Sequence, residues 1–271
     1  MADARGRVHW TFGAWDRNGS PLWSPDGKHI AYRGSEDRGG GYGVARPNGS
    51  GDHRVAECEG YCSALPTWSS DGKRLAFENR LDRTGPVDIV STRADGSDRR
   101  VLVADAQQPA YSPKRAKLAY TAPNGSTWSL FVADVDGRNP RAVTPPSMGG
   151  VSWPTSSPDG TRLAFVDRLP DGDGAILVVR ADGTGEPVVI ASHLPLETYF
   201  RTPVEAWSPD GKQIAFLRGR SLVVASAGGG SERVVVPRVG NVGFTSDGVS
   251  LGAWRPAVAL PAAKRPACPR R

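Results

Sequence analysis

Short polar turns alternate along this chain with short strands in which large and small apolar residues take turns, and one wording of that pattern recurs six times. The turn Ser24-Pro25-Asp26-Gly27 leads through Lys28-His29 into Ile30-Ala31-Tyr32. Its counterparts are Ser69-Ser70-Asp71-Gly72 before Leu75-Ala76-Phe77, Ser112-Pro113-Lys114-Arg115 before Leu118-Ala119-Tyr120, and Ser157-Pro158-Asp159-Gly160 before Leu163-Ala164-Phe165. Ser208-Pro209-Asp210-Gly211 precedes Ile214-Ala215-Phe216, and a weaker copy runs from Thr245-Ser246-Asp247-Gly248 to Leu251. From one Asp position to the next the steps are 45, 43, 45, 51 and 37 residues. A period of this size marks a radial or stacked array of supersecondary units.

The turn chemistry explains the wording. Proline presets φ at the second turn position, and glycine takes the left-handed conformation that a tight hairpin demands, so each phrase joins two antiparallel strands. Apolar residues on both faces of the following strand mean that the sheet is covered on both sides. Third strands are expected at Asp88–Ser91, Ser129–Val132, Ala175–Val179 and Ser221–Val224, each meeting a second turn at Asp95-Gly96, Asp136-Gly137, Asp182-Gly183 or Gly228-Gly229; Asn48-Gly49 is the same turn in the first unit. Arg100–Val103 and Arg233–Val236 read as fourth strands. Four antiparallel strands per unit, six units and no helical period predict an all-β fold, a six-bladed β-propeller over residues 1–254. The sixth unit lacks clear later strands, so Val8–Phe12 is expected to supply its outer strand and close the ring. Loss of residues 1–14 would then open a sheet edge to aggregation. In the third unit Lys114-Arg115 replaces Asp-Gly, which is expected to force Arg115 toward positive φ at a cost of about 1 kcal/mol.

Composition refines this picture little. Gly 33 and Pro 23 in 271 residues suit many tight turns, and no run of 18 apolar residues exists for a membrane-spanning helix. The net charge of +6 is a property of the end of the chain: without Arg255, Lys264, Arg265, Arg270 and Arg271 the 34 basic residues fall to 29, against 28 acidic ones. Residues 255–271 therefore read as a basic, Pro/Ala-rich, disordered tail, and nucleic acid is not an expected partner. Cys58 and Cys62 form either a small disulfide loop or two free thiols, and with His53 alone nearby they make a poor zinc site. The start of the chain has no apolar core of signal-peptide length; either the protein stays inside the cell or its signal lies outside this chain.

Chemical motifs are scarce. Neither Gly-x-Ser-x-Gly nor His-Glu-x-x-His occurs, and His9, His29, His53 and His193 share no ligand spacing, so no catalytic residue, cofactor or metal is expected. Asp171-Gly172-Asp173-Gly174 resembles a fragment of a calcium loop but lacks the downstream Glu, and reads as a turn with two Asp. Gly39-Gly40-Gly41-Tyr42-Gly43 and Gly228-Gly229-Gly230 read as loop and hairpin glycines, since neither precedes a helix that could hold phosphate. Strands ahead of each phrase should be innermost, which gathers the loops before them and the loops between second and third strands at one mouth of the channel. Those loops supply a candidate partner-binding rim: Arg33, Asp37, Glu78, Asp82, Arg83, Asp167, Arg168, His193, Tyr199, Arg201 and Arg218.

With Pro25-Asp26, Pro158-Asp159 and Pro209-Asp210 in register, the units resemble the WD40-like PD40 repeats of the TolB-type propeller family over about residues 8–254. The resemblance implies a non-catalytic scaffold that holds a protein or peptide at its channel mouth. It also implies a periplasmic setting, which a Cys58–Cys62 bond would suit, and a monomer is expected. Propellers host unrelated activities, so two other readings stand beside it. One is an accessory propeller of a prolyl-oligopeptidase-like hydrolase system. The other is a metal-dependent lyase or hydrolase in the channel, with His193 and loop carboxylates as ligands.

Overall fold

A computed structural model describes residues 21–34, 40–57, 65–80, 85–148, 150–195, 206–219 and 221–237. They form five four-stranded antiparallel sheets, each a meander in chain order, with no helix among the described residues. Sheet I comprises β1 (Leu22–Trp23), β2 (Ile30–Gly34), β3 (Gly41–Ala45) and β4 (His53–Ala56). Sheet II comprises β5 (Thr67–Trp68), β6 (Arg74–Arg80), β7 (Val87–Arg93) and β8 (Arg100–Val103). Sheet III holds β9 (Gln107–Tyr111), β10 (Lys117–Asn124), β11 (Thr127–Asp134) and β12 (Arg141–Ala142). Sheet IV holds β13 (Ser152–Ser156), β14 (Arg162–Arg168), β15 (Gly174–Arg180) and β16 (Val188–Leu194). Sheet V holds β17 (Ala206–Trp207), β18 (Gln213–Arg218), β19 (Ser221–Ser226) and β20 (Glu232–Val236). The sixth phrase, Val8–Phe12, Cys58, Cys62 and the basic tail lie outside the described residues.

In four sheets the phrase builds the same turn. Gly27 N–H donates to the Ser24 carbonyl, and the Ser24 hydroxyl both donates to Asp26 Oδ1 at 2.6 Å and accepts His29 N–H at 2.9 Å. Ser69, Ser157 and Ser208 repeat this with Asp71, Asp159 and Asp210. Each of these carboxyls is held below its usual range, first by the seryl hydroxyl and also by a backbone N–H two residues on. The repeated aspartates are thus turn-formers whose lone pairs are already engaged.

The third sheet departs from the expectation for Arg115, which is absent from the residues with positive φ. With no carboxylate at position 114, the Ser112 hydroxyl accepts Arg115 N–H at 3.2 Å, and Lys117 N–H bonds the Arg115 carbonyl. The turn closes without a left-handed residue. Replacing Arg115 by glycine would therefore relieve nothing and would add freedom to the unfolded chain, a cost of about 1 kcal/mol. Arg115→Gly is expected to lower the melting temperature by about 3 °C in a thermal unfolding scan.

Alternation of large and small residues on each second strand sets the packing between sheets. Leu75 and Phe77 face sheet I while Ala76 faces sheet III; Leu118 and Tyr120 face sheet II while Ala119 faces sheet IV. Leu163 and Phe165 turn back to sheet III, Ala164 forward to sheet V, and Ile214 and Phe216 back to sheet IV. On the second strands every described seam therefore sets large side chains of one sheet against the alanine of the sheet before it, a complementarity that suits close packing. The aromatic residue that leads the phrase adds a polar tie: Trp68 Nε1 donates to the Leu22 carbonyl at 3.0 Å and Trp207 Nε1 to that of Thr155 at 3.4 Å.

First strands of neighbouring sheets touch one another, β5 with β9 and β9 with β13, so they line the axis. Fourth strands lie outside, as the exposed Val101, Val188, Val189, Val234, Val235 and Val236 show. The turn between third and fourth strands folds back over the outer strand of the sheet before it: Gly137 sits on Leu102 and Gly183 on Val143. One glycine reading changes. Gly41 and Gly43 belong to β3 rather than to a loop, and Gly43 pairs with Tyr32 on β2, whose ring lies across it and leaves no room for a side chain.

Candidate functional site

Each innermost strand runs toward its phrase, so the phrase turns gather at one end of the channel. The starts of the innermost strands and the hairpins between second and third strands gather at the other. At this second mouth β9 and β13 carry matching bulges, with register shifts against β10 between Ala119 and Thr121 and against β14 between Ser152 and Thr155. Gln108 and Trp153 occupy the same place in their repeats and share a left-handed backbone, φ 55° in both. Each is followed by proline, which makes a compact backbone still less comfortable.

Hydrogen bonds across sheets hold both residues. The Glu78 carboxylate on β6 accepts the Gln108 N–H at 2.7 Å. The Gln108 side-chain oxygen accepts the Trp153 N–H at 2.7 Å and the Thr121 hydroxyl at 3.2 Å. Sheets II, III and IV are thus linked by one polar chain at the mouth. Glu78 is 1% exposed, and its charge together with burial pushes the Tyr42 hydroxyl up, burial being the larger cause and Arg33 acting in the opposite sense. Asp167, at the mouth end of β14, is also buried; burial pushes its carboxyl up, and the Gly150 N–H, 3.3 Å from Oδ1, acts against that.

The expected rim residues therefore divide. Arg33, Glu78 and Asp167 are enclosed, whereas Arg168 and His193 are exposed. Arg218, half-buried, donates to both oxygens of Glu232 at 3.0 and 2.8 Å and to the Ser192 carbonyl at 3.1 Å. Asp37, Asp82, Arg83, Tyr199 and Arg201 lie outside the described residues. His193 stands beside Asp171 and Asp173 where the β14–β15 hairpin meets the outer strand β16, at the periphery of the sheet rather than on an innermost strand. The Asp171–Gly174 stretch forms a tight turn, with Asp173 N–H bonded to Asp171 Oδ1 at 3.0 Å.

Gln108 and Trp153 carried a signal in the sequence. Pro21, Pro66, Pro109 and Pro154 all stand two residues ahead of the position that leads the phrase, a place where a missing N–H is harmless because the strand is an edge facing the channel. In the third and fourth units the residue before that proline, Gln108 or Trp153, is the one at the mouth.

No family model matches the chain. The Tol-Pal system protein TolB of Bordetella pertussis is 36% identical to it over 152 residues, half of this chain and 31% of that protein. TolB of Bordetella avium is 46% identical over 50 residues, 18% of this chain and 11% of that protein. The chain thus matches less than a third of the length of these curated relatives. Among solved structures, TolB from Acinetobacter baumannii superposes with a TM-score of 0.64 at 20% identity, over 79% of this chain and 53% of that one. An oligogalacturonate lyase in complex with manganese gives 0.60 at 16%, over 82% and 66%. A puromycin-hydrolyzing peptidase of Mycobacterium tuberculosis gives 0.59 at 16%, over 82% and 38%. At these identities the structural likenesses speak to the fold, while the phrase itself and the Bordetella proteins speak to kinship. In its repeated phrase and in its fold the chain is thus similar to the TolB-like, PD40-repeat β-propellers.

Proposed function

We propose that the protein is a non-catalytic propeller that holds a protein or peptide partner at the mouth formed around Gln108 and Trp153. The observation that carries this reading is the pair of equivalent, strained, non-glycine bulges. A left-handed residue ahead of proline persists only where its surroundings over-determine it, and such positions gather at ligand clamps. Trp153 is half-buried there, and tryptophan is the residue type that most often anchors an interface. Exposed Arg168 and the partly buried Arg218 border the same mouth, with Asp37, Asp82, Arg83, Tyr199 and Arg201 in the connecting segments as further rim candidates. Kinship with Tol-Pal system proteins supports a periplasmic assembly role.

The test starts by capturing proteins on the immobilised chain, identifying them by mass spectrometry and measuring rebinding of each in purified form. One of them is expected to rebind, and the double charge reversal Arg168→Glu with Arg201→Glu, like Trp153→Ala, is expected to weaken it at least about tenfold. If no purified protein rebinds, or if affinity is unchanged in both variants, the reading is wrong.

The likeness to a puromycin-hydrolyzing peptidase favours a second reading, an accessory propeller of a prolyl-oligopeptidase-like hydrolase system. Labelling of the purified chain by a serine-directed probe would support it. A six-bladed ring over residues 1–254, closed by the N-terminal strand and followed by a loose tail at 255–271, belongs to the same proposal. Ala215 and Val224 on sheet V, and Ile30 and Tyr32 on sheet I, are buried on faces that no described sheet covers. A sixth blade between them would complete both seams in the large-against-small pattern.

A further inference from the structure

Three metal-binding side chains that are far apart in function on the propeller plan converge on the outer side of sheet IV. Asp171 and Asp173 come from the hairpin between β14 and β15, and His193 from the end of β16. Between Gly174↔Leu194 and Ile176↔Ala191, β16 spends three residue steps against two on β15, so it carries one extra residue there. That bulge gives His193 its left-handed backbone, φ 50°, and brings its ring to the hairpin. Arg218 of the next sheet fixes the bulge by bonding the Ser192 carbonyl at 3.1 Å.

The imidazole Nδ1 lies 3.3 Å from Asp171 Oδ2 and 3.8 Å from Asp173 Oδ2, and one donor atom from each residue falls within 4.8 Å of the others. These separations are longer than a good N–H···O bond. They approach the spacing of donors around a small cation: with tetrahedral bonds of about 2.1 Å, neighbouring ligands stand about 3.4 Å apart. Exposed carboxylates can close the remaining gap by rotation about their side-chain bonds.

We propose that Asp171, Asp173 and His193 form a three-ligand site for a divalent transition-metal ion of the zinc class, with at least one coordination position left open. Two carboxylates alone would suit calcium or magnesium, but an imidazole nitrogen in the set shifts preference toward zinc and its neighbours. The site lies on the outer strand and needs no partner at the channel mouth, so it stands or falls separately from the binding role proposed above.

Zinc ion titrated calorimetrically into the full chain is expected to bind, and calcium ion at the same concentration is not. His193→Gly removes the ring while keeping a residue at ease with positive φ. Asp171→Asn with Asp173→Asn keeps the turn's own acceptor and removes both charges. Each is expected to weaken zinc binding at least about tenfold, since even changes behind the ligands of a metal site cost that much. The nitrogen resonances of His193 should shift on zinc addition in a long-range ¹H–¹⁵N spectrum. If His193→Gly melts early, the double Asn variant decides alone. Affinity unchanged by that variant, equal uptake of calcium, or a His193 ring blind to zinc would overturn the site.

Discussion

Gly137→Ala is expected to cost about 3 kcal/mol and to lower the melting temperature by about 10 °C, whereas Gly125→Ala should cost only about 1 kcal/mol. Both glycines have a left-handed backbone, φ 84° and 68°, so the intrinsic penalty of adding a methyl is the same for each. Their surroundings differ. Around Gly125 nothing lies within 4 Å of an added Cβ, while at Gly137 that atom would overlap the Leu102 carbonyl oxygen and lie 3.0 Å from its carbon. Leu102 is backbone of the preceding sheet's outer strand and cannot swing aside, so the third sheet would have to move away from the second. Differential scanning calorimetry on the two variants separates strain within a turn from strain between sheets. Equal losses would show that the hairpin does not bear on its neighbour.

Gly43→Val is the second large effect, about 3 kcal/mol or more, and its cause is a ring rather than a backbone. An added Cβ would lie 2.8 Å from Cε2 of Tyr32 and closer still to its Cζ and hydroxyl. The ring cannot leave cheaply: it is 4% exposed and its hydroxyl donates to Asp52. The same bond and burial push the hydroxyl's ionisation upward, burial being the larger cause, so the ring stays neutral and a donor at every ordinary pH. Tyr32→Ala alone should also destabilise by leaving a cavity, but in combination the two changes should cost less than their sum, because the valine would occupy the space of the ring. A double-mutant cycle in urea reads this coupling directly, and strict additivity would show that the two residues do not compete for one volume.

How far the fold could be read without coordinates depended on where the causes lay. Asp26, Asp71, Asp159 and Asp210 were legible as turn residues because a glycine follows each, and local chemistry alone dictates the hairpin. The same rule fails at Arg115, because without a carboxylate at position 114 the Ser112 hydroxyl accepts the Arg115 N–H and the turn takes another shape. Gly43 looked like a loop residue because the ring that requires it comes from a neighbouring strand eleven positions earlier. At the mouth, Arg168 and Arg218 were identifiable as charged residues near loops, but the strain at Gln108 and Trp153 was not, since it arises from Glu78 and Gln108 reaching across sheets. The sequence offers His193 and loop carboxylates as possible ligands without saying which carboxylates meet the ring. The extra residue in β16 sets the ring beside Asp171 and Asp173, and a bulge of that kind has no spelling of its own in the sequence.

Because the second strand of each sheet that meets a described neighbour turns its large residues backward and its alanine forward, the joints repeat one directional arrangement. A further unit of the same design would meet its neighbours through the same kind of joint, large residues against alanine on the second strands. What distinguishes one unit from the next lies around that joint: the turn at Arg115, the ring of Tyr32 across Gly43, and the bulges at Gln108, Trp153 and His193.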